Sequence, residues 1–226
     1  MPDTIFLPRS AVRNEGATLA GQTASDRLLR VRSLPLVARF TPREISSYDR
    51  RIGAYVIFIR AANVGGSGVF STAALAKKLD LVNIGAAGTF VARGRVSPTE
   101  IAKAILFPLD VAIRPAAEVL RLVDGGPPRA PSGTQVFVSV LVAPATKSPG
   151  LPVELPPGRP WVLRVVAKQG PFVVSLRRVD RQRALDLSAV IERAYGVRAT
   201  TRGWPTFERV ATAVRSLAAP ATRARR

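Results

Sequence analysis

The residues best suited to chemistry lie in three stretches. In the first, the apolar run Tyr55–Ile59 ends in Arg60 and opens into Asn63-Val64-Gly65-Gly66-Ser67-Gly68. Consecutive peptides in such a loop can turn their N–H groups inward and cradle an anion ahead of a helix N-terminus. The Arg60 guanidinium beside it suits phosphate or carboxylate, supplied by a ligand or by the chain itself. In the second, Thr200-Thr201-Arg202-Gly203-Trp204 combines hydroxyls, a guanidinium and an aromatic face, which can hold an anionic or stacked ligand through hydrogen bonds and cation–π contact. The bland alternatives are a tight strand-to-helix turn for the first and a core-filling Trp204 for the second, with Thr206 capping a final helix. The candidate anion- or ligand-binding residues are thus Arg60, Asn63, Gly65, Gly66, Thr201, Arg202 and Trp204. The third stretch crowds Arg177, Arg178, Arg181 and Arg183 at a strand-to-helix junction, where they could contact the phosphates of a polyanion with a steep salt dependence.

Several chemistries are excluded. The chain has neither cysteine nor histidine, so it can form no thiolate or His-assisted nucleophile and no site ligated by Cys or His. The carboxylates Asp110, Glu118, Asp124 and Glu154 are isolated, and nothing in the sequence pairs any two for general acid–base work. The glycine loop is no Walker loop, because no Gly-Lys-Ser/Thr follows. Gly66-Ser67-Gly68 starts like a dinucleotide fingerprint, but Ser71 replaces the third glycine and no ribose-binding acid follows about twenty residues on. No catalytic residue, cofactor or metal is expected, and a non-catalytic binding module is favoured over two alternatives: a small-molecule or enzymatic site where the Arg60–Gly66 loop meets the Thr200–Trp204 segment, and a structural or oligomeric protein pairing through edge strands.

Charge points to a partner class. Lys and Arg total 34 against 15 Asp and Glu, a net charge of +19 in 226 residues. That balance favours nucleic acid or another polyanion, although Arg accompanied by much Ala and Val is also what GC-rich coding produces. Strand aromatics for base stacking are sparse (Phe58, Phe90, Phe137 and Phe172), so sequence-specific readout is unsupported. No apolar run reaches the ~18–20 residues that span a membrane, and residues 1–52 lack the pattern of a secretory signal. A cytoplasmic protein without membrane partners is expected.

The elements that must position these residues alternate. Tyr55–Ile59 and Gly88–Val96 read as strands, and Ser71 or Thr72 caps a helix between them. Ser97-Pro98-Thr99-Glu100 is a capping box with proline at the first helical position. A strand in "LDVAIRP" and a helix in "AAEVLRLV" follow. Beyond a Gly/Pro cluster come a strand at Gln135–Ala143, a proline-rich irregular stretch, an antiparallel pair about Gln169-Gly170, and a helix at Ala184–Tyr195 closed by Gly196. The chain divides into a flexible extension at 1–52, a first α/β plait at 53–126, a linker at 127–134, a second plait at 135–218 and a basic tail at 219–226. The fold class is α+β, with two linked ferredoxin-like subdomains.

"YVIFIRAANVGG" and "YGVRATTRGWPTFERV" resemble the opening and closing motifs of the bacterial domain of unknown function 1697 family, "YvaLLRGINVGG" and "TTRNWnT". "GAAGTFVARG" stands where that family has "QSGNvvF". The matching residues are Arg60, Asn63, Val64, Gly65, Gly66, Gly88, Thr200, Thr201, Arg202, Trp204 and Thr206. The departures are Ala61-Ala62, Ala87-Gly88-Thr89 and Gly203-Trp204-Pro205, which mark a divergent member. The resemblance implies two ferredoxin-like subdomains and carries no activity.

Overall fold

In the computed structural model the described residues are 53–60, 70–94, 96–105, 110–157, 160–179 and 185–218. The expected extension, Asn63, Gly65, Gly66, Arg181, Arg183 and the basic tail lie outside them.

The first sheet grows from the most apolar stretch. β1 (Ala54–Ile59) is buried on both faces, which its unbroken apolar run requires. It pairs antiparallel with β3 (Thr89–Arg93) on one side and with β4 (Val111–Pro115) on the other. A short β2 (Leu81–Asn83) adds to β3 and completes the order β2-β3-β1-β4. β2 is too brief to announce itself by alternation, and the expected strand at Gly88–Val96 is really the shorter β3. Helix α1 (Thr72–Lys78) begins at Ser71, whose hydroxyl accepts from the Ala74 N–H. Helix α2 (Pro98–Ile105) begins with the predicted capping box. The Ser97 hydroxyl accepts the Glu100 N–H at 3.2 Å while the Glu100 carboxylate accepts the Ser97 N–H at 2.7 Å. Ile57, Ile59, Phe90 and Ala92 of the sheet pack against Leu75, Ile101 and Ile105 of these two helices.

The second sheet is also antiparallel, in the order β6-β7-β8-β5-β9. It comprises β5 (Thr134–Leu141), β6 (Val153–Leu155), β7 (Leu163–Gln169), β8 (Phe172–Arg178) and β9 (Ala199–Gly203). β7 and β8 form the hairpin expected about Gly170, which turns with φ +55°. The proline-rich stretch is irregular except for β6, an edge strand, the position where prolines do least harm to a ladder. Helix α4 (Leu187–Tyr195) covers one face through Ile191 and Tyr195, against Leu141, Val165 and Val173. Its C-terminal Gly196 has φ +69°, and a Cβ there would stand 2.1 Å from the Thr146 hydroxyl. A side chain there would have to displace Thr146 and adopt a left-handed backbone conformation.

The two sheets share a core. Helices α3 (Ala116–Asp124) and α5 (Trp204–Ala218) contribute Val119, Leu120, Phe207, Val210 and Val214 to the same apolar cluster as Val56 and Phe58 of β1, Val138 and Val140 of β5, and Phe172 and Val174 of β8. Phe207 is the hinge of this packing. It stacks on Phe58 of the first sheet at 5.5 Å and meets Phe172 of the second edge-on at 6.1 Å. All described residues belong to one compact unit. The expected cap at Thr206 does not form: α5 starts at Trp204, and Pro205 sits in its first turn, where an N–H would have no partner anyway.

Candidate functional site

β9 is an edge strand of the second sheet, and its alternation sends successive side chains to different neighbours. Thr201 faces α4. Its hydroxyl lies 2.7 Å from that of the cross-strand Ser139 and accepts from the Ser188 hydroxyl of α4 at 3.1 Å. Thr200 and Arg202 face the first sheet.

Arg202 spans the gap between the two sheets. Its Nε donates to the Thr89 hydroxyl at 3.0 Å, and its Nη1 to the Thr200 hydroxyl at 2.7 Å and to the Thr201 carbonyl at 2.8 Å. Its Nη2 donates to the Ile59 carbonyl at 2.8 Å and to that of Ala87. All five N–H groups of a guanidinium are thereby used, and every acceptor is neutral. Among the described residues no carboxylate compensates the charge, and burial lowers its pKa from the ordinary 12.5 to about 10. At 1.36 kcal/mol per unit that is a penalty of roughly 3 kcal/mol for holding the cation there.

Arg60, at the end of β1, is the opposite case. Its Nε and Nη2 donate to the two carboxylate oxygens of Glu192 at 2.6 and 3.2 Å, the bidentate geometry that makes such pairs strong. Hydrogen bonding to Glu192 raises the Arg60 pKa further. Burial alone would raise that of Glu192, but the Arg60 hydrogen bond, the Ala199 N–H at 3.0 Å and the charges of Arg60 and Arg198 outweigh it, and the carboxyl sits below its usual range.

These residues border one cleft of about 640 Å³, lined by Arg60, Arg177, Arg202, Thr200, Thr201, Ser188, Asp186, Phe137, Leu185 and Leu187. The volume is within the range of small-molecule sites. Among the described lining residues the one carboxylate, Asp186, is the N-cap of α4 and accepts from the Ala189 N–H at 3.1 Å. Among the described residues the cleft lining has three guanidinium groups and three hydroxyls against Asp186; Arg60 is already paired with Glu192, and the remaining positive charge favours anions. Among the described residues no group of three or more acidic side chains could hold a metal ion.

The structure brings together Arg60, Thr201 and Arg202 from the two ends of the chain, and adds Arg177. It does not bring Trp204, which is buried in the central core and donates its Nε1–H to Glu208 at 3.1 Å. Arg178 alternates away from Arg177 and lies over the Trp161 ring at 4.8 Å. Sequence reasoning missed Glu192, Ser139, Ser188, Thr89, Asp186 and the apolar wall. Only Asp186 had a local signal, as a helix-capping type three residues before the Ala189 N–H it satisfies.

A second basic cleft, about 490 Å³, lies elsewhere and shares none of these residues. It is lined by Arg114, Glu118, Lys147, Lys168 and backbone of the β5–β6 and β7–β8 connections. Arg114 crosses from β4 to the carbonyls of Leu141 and Val142 at the end of β5. Among the described residues no helix is long and apolar enough to cross a membrane. No family model, curated protein or solved structure matches the chain.

Proposed function

We propose that this chain is a non-catalytic binding module whose receptor is the cleft between β9, α4 and the end of β1, and whose ligand is anionic. The observation that carries the reading is Arg202: a buried guanidinium saturated by neutral acceptors leaves its full charge uncompensated at the cleft wall. An anion seated beside it recovers electrostatic energy that the fold has forgone, and does so where screening is weak. We further read the two sheets as divergent ferredoxin-like plaits and the chain as a divergent member of the domain of unknown function 1697 family. The strand order β2-β3-β1-β4 with helices after β1 and β3 supports the first plait. The order β7-β8-β5-β9 supports the second, which has β6 and an irregular stretch in place of its first helix. The proximity of Arg60 and Arg202, one from each family-like motif, supports the membership.

A polyanion such as nucleic acid is the second reading. It is favoured by the way the acids are committed internally: Asp110, Asp124, Glu154 and Glu192 all pair with arginines. The net charge of +19 is left to the rest of the surface. Neighbouring arginines separate the two readings. Titration of inorganic phosphate and of a labelled single-stranded oligonucleotide at several salt concentrations is compared for the wild type, Arg177→Gln and Arg178→Gln. The cleft reading expects Arg177→Gln to weaken phosphate binding and Arg178→Gln to leave it unchanged. Equal losses in both, with oligonucleotide binding far tighter than phosphate at low salt, would favour the extended surface. Absence of binding by either probe at low salt would remove both.

A further inference from the structure

The same cleft has a second wall that an inorganic ion would not use. Phe137, Leu185 and Leu187 line it alongside the arginines. Phe137 and Leu185 are only partly buried, and they continue the apolar cluster of Leu163, Leu187 and Val190 beneath α4. Half-exposed apolar side chains facing a concave space release ordered water when an apolar body covers them. Arg202 and the hydroxyls of Thr200 and Thr201 lie on β9, next to the strand of Phe137, and the Ser188 hydroxyl faces them from α4, so charge and apolar surface are presented together. The volume of about 640 Å³ far exceeds what one phosphate fills.

Resting on the anion-binding reading above, we propose that the ligand is a small organic anion: one carboxylate or phosphate carried on an aromatic or branched apolar body. The acidic group lies toward the Arg202 end of β9, and the body lies on Phe137 and Leu185. Polymers are disfavoured because the apolar wall presents one aromatic side chain, whereas single-strand binders stack successive bases on several.

Calorimetric titration of the full chain with phenyl phosphate, benzoate, inorganic phosphate and the neutral benzyl alcohol tests this. Phenyl phosphate should bind at least tenfold more tightly than inorganic phosphate, and benzoate more tightly than benzyl alcohol. Phe137→Ala should weaken phenyl phosphate by about tenfold, the lower end of what a hydrophobic pocket contact is worth, and leave inorganic phosphate unchanged. Leu185→Ala, at a partly exposed position, supplies the same comparison if the first variant does not fold. Equal affinities for phenyl and inorganic phosphate, or equal affinities for benzoate and benzyl alcohol, would overturn the ligand class while leaving the cleft an anion site. Failure of every anion to bind would overturn the anion-binding reading itself.

Discussion

The two sheets are fastened by the same device at two places, and the two copies differ. At one, the second sheet sends Arg202 to the carbonyls of Ile59 and Ala87 in the first. At the other, the first sheet sends Arg114 to the carbonyls of Leu141 and Val142 in the second. Burial lowers the pKa of both. Arg202 satisfies every N–H but has no counter-charge among the described residues. Arg114 feels the charge of Glu118, yet its Nε is buried without a hydrogen-bond partner. Hydrogen bonding and charge compensation are thus separable, and each junction lacks one of them. The junction that lacks the counter-charge is the one that borders the candidate site.

The largest effect expected from this contrast is at Arg202. Arg202→Leu orphans five backbone or hydroxyl acceptors near a buried position and, even with the charge penalty relieved, should cost about 2–4 kcal/mol in urea unfolding. Arg114→Leu removes an unmet donor along with its bonds and should cost less, about 1–2 kcal/mol. Equal costs would mean that satisfaction of the guanidinium does not distinguish the junctions.

Next in size is the compensated pair. Arg60→Gln should cost about 1–2 kcal/mol at neutral pH, because Glu192 keeps the Ala199 N–H and Arg198. Its pH signature is sharper than its size. The Glu192 carboxyl is lower in the folded chain than its ordinary value of 4.5. Its contribution is therefore complete above that value and is lost as pH falls through the lowered one. In Arg60→Gln the acid limb of a stability–pH curve should flatten relative to the wild type. An unchanged limb would show that the pair does not set it. Arg202 behaves the other way: its folded value lies below its unfolded one, so its penalty applies across neutral pH and lifts only as pH rises past about 10. Between pH 6 and 8 the Arg202→Leu cost should be flat.

The sequence carried the local part of this contrast and not the long-range part. Ser97-Pro98-Thr99-Glu100 and Gly196 announce helix ends because caps need particular side chains or a positive φ within a few residues. Arg60 and Arg202 stood out by type and by motif, and they do meet near one cleft. Glu192 could not be found, because its bond to Arg60 joins residues 132 positions apart, and helical spacing makes it one more solvated charge. Trp204 carried a ligand-like signal from its neighbours Thr201 and Arg202, yet strand alternation and the start of α5 turn it into the core. β2 escaped because three residues cannot display a period.

The place where an anion settles distinguishes the two basic clefts. Backbone amide shifts of the isotopically labelled chain, followed during titration with inorganic phosphate, report that place directly. Binding at the β9 cleft should centre the shifts on Ser188, Thr200, Thr201 and Arg202, with Lys147, Lys168 and Gly170 at the other basic cleft unmoved. Shifts centred on that second group, or spread evenly over the basic surface, would contradict it.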